Sequence, residues 1–344
     1  MGRKNRHPNA YYQANYGQLV LGDSLTVLSG CRSNSVDLIV TSPPYGLVRK
    51  KKYGNVDADQ YCEWFKAYGR EFHRVLKDSG SLVIDIGGAW NKGFPTRSLY
   101  HFKLLIMLCE ELNFHLAQEF YWWNPAKLPS PAEWVTIRRI RVKDAVDTVW
   151  WLSKTPWPKA SNKRVLQPYS DRMINLLQKG GKDNQIRPSG HNVNDESLVN
   201  HGASIPPNMI AIPNTDSQGS YLQFCRESKL AIHPARFPAE LPEFFIRMLT
   251  DPGDLVIDPF AGSGVTGEVC ERLERNWRCI ELNEEYLQGA VSRFACGSKS
   301  TPENKADESR YYRIPRPGSP WYPDAEKLKP DGGIHRTRPS GEKG

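Results

Sequence analysis

An α/β fold around a mostly parallel sheet is what this sequence predicts, and three observations carry that prediction. Short continuous apolar runs, VDLIVT at Val36–Thr41 and SLVIDI at 81–86, have the pattern of strands buried on both faces. Segments of helical spacing alternate with such runs, which is the rhythm of strand–helix–strand units. A glycine-rich turn, DPFAGSG at 258–264, joins one apolar run to a helical segment, as in sheets that bind ligands at their carboxyl edge.

Taken in order, residues 17–23 (GQLVLGD) read as a strand ending in an acid, and 24–28 open a short helix. The 36–41 strand stops at Ser42-Pro43-Pro44-Tyr45, because two prolines cannot donate to a ladder. Residues 59–76 have helical spacing, 81–86 form a strand closed by Gly87-Gly88, and 100–113 form an amphipathic helix. Residues 115–123 and 147–153 read as further strands. From 154 to about 230 the rhythm fails. Pro, Gly, Asn and Ser are frequent there, and only 170–178 stands out as a helix. That stretch is either a long inserted module or a small irregular domain. The alternation then returns: helix 242–249, strand 254–258, helix 266–274, strand 277–281, helix 284–293. Residues 1–153 and 231–296 therefore read as two halves of one α/β domain with 154–230 inserted between them. Residues 297–344 hold seven prolines and only three branched aliphatic residues, Ile314, Leu328 and Ile334. Such a segment is expected to be a disordered tail, since it cannot bury enough apolar surface to offset its ordering entropy.

Of the 344 residues, 39% are hydrophobic and 24% charged, the balance of a globular chain and not a disordered one. The formal net charge is +8, which favours a polyanionic partner. No run of 18 apolar residues exists, so no membrane span is expected. The N-terminus has no apolar core of a secretory signal, and Arg6 stands where a myristoylation signal wants Ser or Thr. Seven scattered cysteines without a C-x-x-C pair imply reduced thiols and no recognisable zinc site. His191, His201 and His233 share no spacing that would make them metal ligands, so no metal is expected.

The charge is uneven. Residues 127–164 hold nine basic and three acidic residues, and six tryptophans lie in or beside them: Trp122, Trp123, Trp134, Trp150, Trp151 and Trp157. For any one residue a solvated face over a core is the plain alternative. The density, together with Arg49, Lys50, Lys51 and Lys52, points to a nucleic-acid surface carrying Lys127, Arg138, Arg139 and Arg141.

Gly262, Gly264 and Gly267 satisfy G-x-G-x-x-G after the 254–258 strand. Glu281 ends the next strand, where an acid can hold ribose hydroxyls. Alone, this is a dinucleotide site or a tight turn without a ligand. Asp258 before the glycines puts a carboxylate where a pyrophosphate would lie, which disfavours NAD. It suits a cationic ligand without phosphate, and S-adenosylmethionine carries a sulfonium and an ammonium. Asp258 would meet the ammonium, the glycines with Phe260 would admit the methionyl part, and Glu281 would take the ribose.

With Thr41-Ser42-Pro43-Pro44-Tyr45 added, the sequence resembles the amino-group DNA methyltransferases, in which a (Ser/Asp/Asn)-Pro-Pro-(Tyr/Phe) loop partners an S-adenosylmethionine signature. The catalytic loop preceding the cofactor signature is similar to the beta group, and TSPPYGLVRKK, KLPSP, IRVKDAV and HPARFP resemble its PvuII-type N4-cytosine modification methyltransferases. The resemblance implies a circularly permuted, Rossmann-like methyltransferase fold with target recognition in 154–230. It further implies double-stranded DNA as substrate, the palindrome CAGCTG as target and transfer to cytosine N4. The chain would be the modification arm of a restriction–modification system in a bacterial cytoplasm, beside a cognate endonuclease that it does not stably bind. Transfer to adenine N6 remains the alternative within the class. A non-catalytic DNA-binding protein of this fold and a nicotinamide oxidoreductase are the alternatives outside it.

An exocyclic amino nitrogen is a poor nucleophile because its lone pair is delocalised into the ring. Acceptors around its N–H groups localise that pair. Ser42 Oγ and the Pro43 carbonyl, held by Pro44, are candidates, and Tyr45 can stack on a base turned out of the duplex. Asp85, ending the 81–86 strand, either accepts an amino proton, orients Ser42 or caps a turn. Asp23 lies near the adenine or makes an Asx turn. Thr41 is counted with the cofactor residues. Phe237 belongs to a methionine pocket or to the core, and Trp123 contacts the flipped base or packs in the core.

Overall fold

The computed structural model describes residues 10–46, 56–178, 202–215 and 219–295. Arg49 to Lys52, His191, His201 and the 297–344 tail lie outside the described residues. In chain order the strands are β1 Tyr12–Gln13, β2 Gly17–Leu21, β3 Val36–Thr41, β4 Leu76–Ile86, β5 His115–Trp123, β6 Val146–Ser153, β7 Met209–Ala211, β8 Leu255–Asp258 and β9 Asn276–Glu281. The helices are α1 Ser24–Ser29, α2 Tyr61–Val75, α3 Tyr100–Ile106, α4 Asp171–Gln178, α5 Ser220–Glu227, α6 Glu240–Leu249, α7 Val265–Arg272, α8 Glu284–Ala290 and α9 Ser292–Ala295.

The nine strands of the described residues join one sheet in the order β1-β2-β9-β8-β3-β4-β6-β5-β7. The central strands β2, β9, β8, β3 and β4 run parallel, as the continuous apolar runs imply. Every residue of β3 is buried, because helices cover both of its faces. Alternate side chains divide between two cores. Leu38 and Val40 pack on the side of Phe244 and Phe245 from α6, whereas Ile39 joins Phe65 and Phe72 from α2. The outer half of the sheet departs from the parallel pattern, for β6 pairs antiparallel with both β4 and β5.

This order carries the consequence that matters for function. β3 lies directly beside β8 although the two are distant in sequence, so the Ser42 loop and the 258–264 turn leave the sheet at the same edge. On the far side of β8, β9 pairs in parallel with β2 and sets Leu21 opposite Glu281. Asp23, just beyond β2, is thereby brought to the same edge as Glu281.

Several boundaries differ from the sequence reading. Strand β4 begins at Leu76, because a bulge between Val36 and Leu38 lets β3 pair across residues 76–81. The 100–113 helix changes to π-helical bonding over Met107–Glu111, and Phe114 N–H closes it on Leu108 O at 3.0 Å. Within 154–230, α5 was not anticipated. It buries Tyr221, Leu222 and Cys225 on a single short face, too brief for periodicity to register amid Ser and Gly. Among the described residues no helix is long and apolar enough to cross a membrane.

Candidate active site

Where β3, β4, β8 and β9 end, a cavity of about 460 Å³ opens. Ser42, Pro43, Pro44, Tyr45 and Asp85 line it from one side, and Phe260, Gly262, Glu281 and Asp23 from the other.

On the β9 side, Glu281 is half-buried with both carboxylate oxygens engaged by backbone. Gly262 N–H donates at 2.8 Å and Asn283 N–H at 2.9 Å. Burial raises its pKa above the usual carboxylate range, and these N–H donors oppose that rise. Gly262 has φ +52°, and a Cβ there would meet the His233 ring at about 3.0 Å, so the turn needs glycine twice over. Burial pulls the His233 pKa down to about 4, so the imidazole is neutral near pH 7. Phe260 packs against Tyr68 and Trp64 of α2, with ring centroids 5.1 and 6.0 Å apart, forming an aromatic wall inside the cavity. Asp23 caps α1 by accepting from Thr26 N–H at 2.9 Å while also lining the cavity, so both of its expected roles are compatible.

On the β4 side, Tyr45 OH donates to Asp85 Oδ2 at 3.1 Å, and Ser42 stands beside both groups. Asp85 is 4% exposed, and its Oδ1 has no hydrogen-bond partner. Burial, with the negative charge of Asp147 added, pushes its carboxyl up to about 7. The site therefore presents an unsatisfied buried acceptor beside a hydroxyl. That is chemistry suited to taking a proton from a polar N–H ligand.

A family model described as DNA methylase matches residues 36–292. The chain belongs to the DNA methylase family. It is 50% identical over 285 residues to Type II methyltransferase M.PvuII of Proteus hauseri, covering 82% of this chain and 85% of the relative. It is 27% identical over 300 residues to DNA adenine methyltransferase YhdJ of Escherichia coli (strain K12), covering 84% and 86% of the two chains. Among solved structures, PvuII DNA methyltransferase (cytosine-N4-specific) superposes with a TM-score of 0.69 at 44% identity, covering 85% of this chain and 90% of that one. The methylase is thus an enzyme of the α/β class acting on DNA.

Four expectations need correction. Asp258 does not line the cavity of this methylase. It is 1% exposed, and its oxygens accept from Thr41 Oγ1 at 2.7 Å, Thr266 Oγ1 at 2.6 Å and Phe260 N–H at 3.1 Å. Burial raises it to about 6 against the pull of these donors, and its hydrogen bonds tie the turn to β3. Thr41 is buried with it, away from the cavity. Gly264, at φ +73°, is the left-handed N-cap of α7 and faces Ala290. Lys127 is turned into the cavity, where its Nζ lies 2.9 Å from both oxygens of Asp147.

Arg138, Arg139 and Arg141, the other expected basic residues among the described ones, are on the surface. Arg138 is exposed but pairs with Glu133 at 2.6 Å, Arg141 donates to Pro95 O at 3.2 Å, and Arg139 is exposed at φ +53°. Phe237 lies between core and cavity and contributes to both. Trp122, not Trp123, faces the cavity, with its Nε1 donating to Ile212 O at 2.9 Å, since neighbours on a strand point to opposite sides. Sequence reasoning missed Trp64, Tyr68, Trp122 and Asp147. For Trp64 and Tyr68 the signal was available, as aromatic residues four apart on one helix face.

Proposed function

We propose that this methylase transfers a methyl group from S-adenosylmethionine to the N4 amino group of cytosine in duplex DNA. The observation that carries the reading is the convergence of Ser42, Tyr45 and Asp85 with Phe260, Gly262 and Glu281 on one cavity. The residues fit the donor. Glu281 keeps a carboxylate free enough to accept from ribose hydroxyls, the aromatic wall of Phe260, Trp64 and Tyr68 suits an adenine, and the Gly262 turn admits an aliphatic chain with no side chain in the way. Bound there, S-adenosylmethionine supplies an electrophilic methyl group.

The chain's own residues do the rest. Ser42 Oγ and the Pro43 carbonyl accept hydrogen bonds from the amino group and localise its lone pair toward the methyl carbon. The nitrogen gains one bond to carbon and loses one proton, and Asp85 takes that proton up beside Ser42. A methyl donor leaving with its bonding electrons would balance the charges, with no covalent link between enzyme and base. Tyr45, anchored by its bond to Asp85, stacks on the extruded base. Holding both reactants in line supplies most of the acceleration.

The target in this reading is the palindrome CAGCTG, read by residues of 154–230 between the two halves of the catalytic domain. The enzyme acts in a bacterial cytoplasm as the modification arm of a restriction–modification system, with an endonuclease that it does not stably bind. The experiment is methylation-sensitive sequencing of DNA from cells expressing the chain. The reading expects modified cytosine confined to CAGCTG. Modification at another sequence would overturn the target alone, and unmodified DNA would overturn the activity.

A further inference from the structure

Asp147 was not anticipated from sequence, and its place follows from strand register. β4 and β6 run antiparallel with Asp85 opposite Val149 and Ile86 opposite Thr148, which puts Gly87 opposite Asp147. Residues 85 and 87 share a face of the sheet, so Asp85 and Asp147 are diagonal neighbours on that face. Gly87 leaves the space between them open, for a Cβ there would lie 2.7 Å from Asp147 Oδ1 and 2.6 Å from the Tyr45 ring. Asp147 is 9% exposed, and both of its oxygens are held by Lys127 Nζ at 2.9 Å. Lys127 is itself fixed by a built turn. Its N–H donates to Asn124 O at 3.1 Å, and Lys143 Nζ donates to Lys127 O at 3.2 Å.

We propose that the Lys127–Asp147 ion pair is a positioning device that governs whether Asp85 carries its negative charge when the target base enters. The inference rests on the reading of Asp85 as the proton acceptor. Two like charges cannot both be comfortable in a buried site, so a bare Asp147 would suppress ionisation of Asp85. Lys127 cancels that effect while both side chains line the same cavity. Among the described residues, the groups facing Asp85 are Tyr45 and Ser42 from the β3 loop, Asp147 from β6, Lys127 from the 124–127 turn and Tyr100 from α3. Lys127 is the cation among them, and Asp147 is the second carboxylate.

The signs follow. Removing Lys127 leaves Asp147 bare and raises the pH at which Asp85 ionises. Removing the charge of Asp147 frees Lys127 to act on Asp85 and lowers it. The test is the pH profile of the single-turnover methyl-transfer rate for the full-length enzyme with saturating S-adenosylmethionine and DNA. Lys127→Met should move the acid limb up by about one pH unit, a roughly tenfold slower rate below the limb. Asp147→Asn should move it down, and Lys127→Arg should restore the native profile. Calorimetric S-adenosylmethionine binding reports whether each variant is folded, and the half-exposed Lys127 variants carry the test if Asp147→Asn is not. Shifts of the same sign in both variants, or a Lys127→Met profile like the native one, would overturn the proposal. Asp85→Asn separates this from the reading beneath it. If that variant keeps the acid limb, the assignment of Asp85 has failed; if it loses the limb while Lys127→Met leaves it in place, the ion pair has no such role.

Discussion

Glu281 receives two backbone N–H bonds, at 2.8 and 2.9 Å, and still faces the cavity, so it is prepared to accept from a ligand without moving. Replacing it with alanine removes hydrogen bonds to a charged group, a loss of about 1.5–3 kcal/mol in S-adenosylmethionine binding by calorimetry. DNA affinity measured without the cofactor should be unchanged. Equal loss of both would mean that Glu281 holds the fold and not the ligand. The position of Ser42, Tyr45 and Glu281 at the cavity was legible in the sequence because each lies at a strand end or within a few residues of one. Lys127 was read as a phosphate contact because a lysine in a basic stretch shows no sign of a buried partner. The carboxylate that claims it lies on the neighbouring strand β6. The partners of Asp258 were hidden for a related reason, since the hydroxyls that donate to its oxygens come from Thr41 and Thr266, one of them on another strand.

Strand β4 and its glycine show what an element contributes. Gly87 follows Ile86 where the strand leaves the sheet, and its missing side chain lets Tyr45 and Asp147 close over it. Gly87→Ala should act as overpacking, lowering stability by about 1–3 kcal/mol and displacing Tyr45 from Asp85. Thermal unfolding and the methyl-transfer rate, followed together, check this. A variant with native stability and native rate would show that the Cβ is accommodated elsewhere. Apart from the early start of β4, the buried parallel strands were legible to within about two residues, because an unbroken apolar run such as Val36–Thr41 has few other uses. The antiparallel turn of β6 against β4 and β5 was not, since it depends on partners and not on local pattern. The same holds for β7, three residues long at the sheet edge.

For the whole molecule, the charge distribution and the permuted sheet act together. The sheet brings the Ser42 loop and the 258–264 turn to one cavity. Beside it, residues 136–143 are exposed and include Arg138, Arg139, Arg141 and Lys143, a basic surface in keeping with the +8 net charge. Binding to DNA should weaken with salt at a log–log slope of about −0.9 for each phosphate contacted. The double variant Arg139→Glu, Arg141→Glu should flatten that slope and weaken binding to all sequences alike, as fluorescence anisotropy across a salt series would read. A slope unchanged by the double variant would place the phosphate contacts elsewhere.

Which base receives the methyl group is the central claim. In the proposed reaction Ser42 stands at the first loop position with Asp85 to accept the proton of a cytosine N4 amino group. Mass spectrometry of nucleosides digested from duplex DNA, after incubation with the purified enzyme and S-adenosylmethionine, reads the product directly. The account predicts N4-methylcytosine as the new nucleoside, and none from the Ser42→Ala enzyme. N6-methyladenine as the sole product would contradict it.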